Sequence, residues 1–170
     1  MNGVMSSTSG NMVSREFIKI SIDGKVIKGN SKVENCADYF NGHCPQAFRV
    51  FASIDGAVFD LVSMKLKVTK QVQGIIENFF KRGEKEVTVE IVRMESTKSG
   101  SSYPSFKVTY KGCRLHEVLL AHDHDTNLCL DVSFTPEESV SIEMNLPSDD
   151  GKSTEKLGPI TYSLYKEKLV

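Results

Sequence analysis

Three imidazoles and two carboxylates fall close together in the chain, at His116, His122, Asp123, His124 and Asp125, and a zinc ion takes nitrogen and oxygen ligands of this kind. The spacing argues against a metal centre. A His-x-His pair on a strand points both rings the same way. However, no H-E-x-x-H helix accompanies it, and AHDHDTN reads as a polar loop between strands. A metal-dependent hydrolase rests on that loop alone, so no metal or other cofactor is expected. The acid pairs Glu137-Glu138 and Asp149-Asp150 sit in turn-like stretches with no apolar flanks to raise a carboxyl pKa. His43 and Cys44 adjoin in sequence but point apart on an extended chain, with no third group to orient them and no oxyanion hole. With no glycine-rich phosphate loop either, the chain is expected to have no catalytic residues and not to be an enzyme.

The elements that would position any site are organised around Val58 to Met94. Val58, Val62, Met64, Leu66 and Val68 alternate with polar residues as a half-buried strand does, Asp60 being the exception. After Thr69, a plausible N-cap, the period changes to that of a helix. Val72, Ile75, Ile76, Phe79 and Phe80 then share one stripe over Lys70 to Arg82, and Gly83 ends it. Val87, Val89 and Ile91 begin a strand that pairs as a hairpin with Phe106, Val108 and Tyr110.

Upstream, Phe17 to Ile22 is a strand ending at the Asp23-Gly24 turn, and Val33 to Tyr39 is a second candidate. Phe48 to Ile54 leads through Asp55-Gly56 into the Val58 strand. Downstream, Leu128 to Phe134 and Val140 to Leu146 alternate cleanly on either side of Pro136, which is read as turning the chain, and Ile160 to Leu164 is the last strand. The fold class is mainly β: an antiparallel β-barrel of about eight strands with one short α-helix packed against it. Three polar faces, Lys65 with Lys67, Lys107 with Lys111 and Glu86 with Glu90, are fully hydrated in character and should see water.

At 170 residues with 39% apolar content, the chain supports one hydrophobic core. Residues 1–14 read as a disordered leader or cloning remnant, and 15–170 as a single domain. With 21 basic and 22 acidic side chains there is no basic stripe for nucleic acid. No apolar run is long enough to insert in a membrane, and no signal peptide is evident. The four cysteines, Cys36, Cys44, Cys113 and Cys129, are expected as reduced thiols, with a Cys36 to Cys44 bridge left open after export.

Several strings, in order, resemble the Hcp family, the tube-forming proteins of bacterial type VI secretion systems. FIKISIDGKVIKG is similar to the family's first strand and turn. VFDLVSMKLKVTKQVQGIIENFFKRGEKEVTVEIVR is similar to its strand, short helix and strand. SFKVTYKGCRLHEVLLA, SVSIEMNLP and LGPITYSL resemble later segments, with Tyr162 where the family ending carries tryptophan. The resemblance implies a barrel like that of phage tail tubes, with six copies in a ring and rings stacked as a tube inside a contractile sheath. It further implies export with a VgrG-like spike and small effector proteins carried in the lumen. The protein would sit in the bacterial cytoplasm before firing and be secreted afterwards. Such a ring needs a surface that grips a different surface of its neighbour. The segment from Phe48 to Phe59 is expected to project and supply it, with Phe48, Phe51, Ile54, Asp55 and Gly56 at the interface. The alternative reading is a monomeric barrel that holds a small apolar ligand.

Overall fold

The alternation at Glu16–Ile22 makes the first strand (β1), which turns at Asp23 and Gly24, both at positive φ, into β2 (Lys25–Ile27). The computed structural model describes residues 16–97 and 100–170, so the leader expected at 1–14 lies outside the described residues. The remaining strands are β3 (Phe40–His43), β4 (Val50–Ser53), β5 (Gly56–Phe59), β6 (Val62–Lys67), β7 (Val87–Ser96), β8 (Ser102–His122), β9 (Leu128–Pro147), β10 (Thr154–Ser163) and β11 (Lys168–Leu169). Strand pairing runs β9, β6, β3, β1, β7, β8 and then returns to β9, because β8 pairs with β9 along nearly its whole length. This antiparallel circuit closes on itself, and β10 and β11 extend the sheet from the outer half of β9. Closure removes the exposed edges that an open sheet of these strands would carry.

The interior of the circuit is filled by side chains. Ile18 and Ile20, Phe40, Leu66, Val89 and Ile91, Val108 and Tyr110, Leu130 and Phe134 are all essentially inaccessible. The Tyr110 and Phe134 rings meet edge to face at 5.3 Å, and the Tyr110 hydroxyl donates to the Ala47 carbonyl, so this buried polar group is satisfied.

The helix is shorter than its sequence pattern. A 3-10 turn at Lys70–Val72 precedes α1 (Gln73–Phe80), and Thr69 makes no capping bond; its hydroxyl donates to the Lys28 carbonyl at 3.0 Å. Val72 and Ile75 enter the core, and Ile76 packs against it. Phe80, expected on the same stripe, is 78% exposed. Beyond α1, Gly83 has φ +70, as a residue ending a helix in the left-handed region requires.

Two further expectations are corrected. Val33 to Tyr39 is no strand: Asn35 and Asp38 both sit at φ +67, a left-handed conformation that their short polar side chains tolerate and that breaks an extended run. Nor does Pro136 turn the chain. It lies within β9 opposite Cys113, where β8 shifts register around Gly112, and at such an irregularity a residue without an N–H costs the ladder little.

Candidate functional site

β4 and β5 form a two-stranded sheet of their own, outside the closed circuit. Ser53 pairs with Gly56, so Ile54 and Asp55 are the two turn residues and Gly56 opens β5. Asp60, the exception to the sequence alternation, is where the hairpin leaves the barrel: its N–H donates to the Arg49 carbonyl at 3.2 Å and its carboxylate lies 3.4 Å from the Arg49 guanidinium. The base of the hairpin is fixed. Phe48 packs against the core and meets Phe59 at 6.0 Å, and Phe59 meets Tyr162 at 5.8 Å. The Ala57 N–H donates to the Tyr162 hydroxyl, and a side chain at Gly56, φ +130, would come within 2.8 Å of that oxygen.

The tip is different. Ile54 is fully exposed, while Phe51 and Val58 are about half exposed with the Arg49 guanidinium 4.6 Å from the Phe51 ring centre. The structure thus brings Phe51, Ile54 and Asp55 to one projection and places Phe48 and Gly56 at its support.

The other chemistry-bearing residues are dispersed. His116 lies on β8 with its ring 2.8 Å from the Thr135 hydroxyl. His122 ends β8, and the turn after it is closed by the Asp123 carboxylate, which accepts from the Asp125 and Asn127 N–H groups at 2.9 Å each. Those bonds hold the Asp123 carboxyl below its usual range. Among the described residues, no three His, Cys, Asp or Glu side chains gather as a metal site. All four cysteines are free and buried. Burial, followed by the negative charge of Glu16, pushes the Cys44 thiol up to about 12, which keeps it protonated at neutral pH and a poor nucleophile.

Two of the polar faces expected to be hydrated depart from that reading, because Glu90 of one is buried and paired with Lys107 of the other. Lys19 of β1 lies 3.6 Å from Glu90 of β7, and Glu90 lies 3.1 Å from Lys107 of β8. Lys107 is in turn 3.6 Å from Glu143 of β9, and Glu143 is 2.9 Å from Lys156 of β10. The five charges alternate in sign across five neighbouring strands. Glu90 is only 9% exposed and also accepts a hydrogen bond from the Tyr39 hydroxyl. Burial opposes the Lys107 charge, but the hydrogen bond and field of Glu90, with those of Glu143, outweigh it and raise the Lys107 pKa. The Glu143 carboxyl is held low, chiefly by its hydrogen bond from Lys156. Cross-strand register could have shown this row only once the strand order was known.

A closed antiparallel circuit with one short helix and a projecting hairpin defines an antiparallel β-barrel. No protein-family model matches the sequence, and no curated protein is similar to it in sequence. Among solved structures, the chain is similar to a type six secretion system protein, at TM-score 0.67 and 11% identity over 91% of this chain and 99% of that one. It is similar also to Hcp1 from Salmonella typhimurium, at TM-score 0.62 and 12% identity over 92% and 99% of the two chains. Hcp3 from Pseudomonas aeruginosa, a secreted protein, is similar at TM-score 0.58 and 14% identity over 87% and 97%. The chain has the Hcp fold.

Proposed function

We propose that this protein is a structural tube subunit of a type VI secretion system. Six copies form a ring and rings stack into a tube inside a contractile sheath. The tube leaves the cell with a VgrG-like spike, and the lumen shelters small effector proteins. The observation that carries this reading is agreement with solved Hcp structures over nearly the full length of both chains. The hairpin adds to it, because Phe51, Ile54 and Val58 are apolar residues that the subunit's own core leaves uncovered. A cyclic ring needs a second, different surface to receive such a projection, and exposed apolar residues elsewhere, Leu119, Leu120 and Leu128 at one end of β8 and β9, offer one. The self-paired row from Lys19 to Lys156 suits a lumen face, since it presents no single-sign field to a passing cargo. A barrel built to hold an apolar ligand would need space where Phe40, Tyr110 and Phe134 are packed. Sedimentation and negative-stain electron microscopy test the reading: particles of six times 18.9 kDa with a central hole support it, and a monomer in every condition tried overturns it.

A further inference from the structure

A cleft of about 470 Å³ opens between the end of α1 and the bend of β8 and β9, on a part of the subunit distinct from the hairpin. Phe79, Val87 and Leu115 give it apolar walls, and Arg82, Arg114 and Glu137 give it charge. Its volume falls in the range of small-molecule sites.

Both arginines are held by irregular backbone. Arg82 has φ +59, a conformation that L side chains other than Asn and Asp seldom take. The loop that carries it is fastened by Asn78, which is buried and both donates to the Lys85 carbonyl and accepts from the Lys85 N–H at 3.0 Å. Arg114 stands between two register shifts of β8, one between Lys111 and Cys113 and one between Leu115 and Glu117. Strained backbone and bulges of this kind cluster where side chains are aimed at a ligand.

The charges are incompletely answered from within. Among the described residues no acid pairs with Arg82, and Arg114 has only Glu137, at 3.7 Å with both side chains more than half exposed, a weak pair. Among the residues that line the cleft, two guanidinium groups stand with one carboxylate, while Glu86, paired with Glu138, puts negative charge near Cys113. A guanidinium also matches a carboxylate in shape.

We infer that this cleft binds a small monoanion with a flat apolar body, of the aromatic carboxylate class, its carboxylate against Arg82 and Arg114 and its ring against Phe79 and Leu115. The test is equilibrium dialysis of 2-naphthoate against the full chain, read by the fluorescence of the probe, since the protein has no tryptophan. The expected result is saturable binding of one naphthoate per chain. The neutral isostere 2-naphthamide should bind at least about tenfold more weakly, because it has no negative charge and only one acceptor oxygen to offer the guanidinium groups. Arg82→Gln with Arg114→Gln should cause a similar loss, and Glu137→Gln should tighten binding. No saturable uptake, equal binding of naphthoate and naphthamide, or unchanged binding by the double arginine variant overturns the inference. The naphthoate and naphthamide comparison uses the unaltered protein, so it stands even if a variant misfolds.

Discussion

β4 and β6 are near neighbours in sequence, and both read as short alternating strands, yet β6 buries Val62, Met64 and Leu66 while every residue of β4 is exposed. The difference lies in their partners. β6 is clasped between β3 and β9, so its inward side chains meet Leu130, Val132 and Phe134 across the pairing. β4 pairs with β5 alone, and a two-stranded ribbon has no second layer to cover its apolar side chains. Alternation therefore marks a face that some surface will cover; it does not say whether that surface belongs to the same chain.

The largest effect that would break this contrast is a core truncation. Ile75→Ala, at the buried face of α1, should cost about 2 to 5 kcal/mol through lost burial and the cavity left behind. Phe51→Ser together with Ile54→Ser should change subunit stability by less than about 0.5 kcal/mol. Urea unfolding under conditions that dissociate any assembly measures both, since association otherwise adds its own stability. Comparable losses in the two variants would mean that the hairpin tip is part of the folding core.

An intermediate effect sharpens the contrast from the polar side. Glu90→Ala leaves Lys19 and Lys107 without their shared partner and Tyr39 without its acceptor. The expected cost is about 1 to 3 kcal/mol, well above that of an ordinary surface change. A cost near zero would show that this row of charges is solvated, as a face read from sequence alone would be.

The effect of pH on the same row is smaller. Lys156 and Lys107 hold the Glu143 carboxyl below its ordinary value in the folded protein. Its contribution is therefore complete above the usual carboxylate range of about 4, and it disappears as pH falls through the lowered folded value. The urea midpoint should drop over that acid window, and Glu143→Gln should flatten that part of the curve. The smallest change expected is at exposed Glu77 of α1 or Lys81 just past its end, where alanine should cost less than about 0.5 kcal/mol by the same unfolding measurement.

Where the sequence was readable, a single physical constraint dominated. The period of two at β6 reflects burial on one side, and the Asp23-Gly24 turn reflects a backbone that needs positive φ twice. Phe80 escaped that reading because the buried side of the helical turn runs through Val72, Ile75 and Asn78, which leaves Phe80 at the solvent edge of the apolar stripe. Pro136 misled because its usual role as a breaker is cancelled by the register shift opposite it in β8. The pairing of Glu90 with Lys19 and Lys107 was hidden for another reason: it joins residues far apart in the chain, and only strand order brings them side by side. At the hairpin, the turn and the exposed Phe51 and Ile54 were legible, whereas the supporting contact with Tyr162, from the far end of the chain, was not.

Sedimentation of the unaltered protein beside the Phe51→Ser, Ile54→Ser variant reads directly whether the hairpin tip joins subunits into a ring. A particle of six times 18.9 kDa is expected for the first and a folded 18.9 kDa subunit for the second. A variant that keeps the full ring mass, or an unaltered protein that sediments as a monomer throughout, would contradict it.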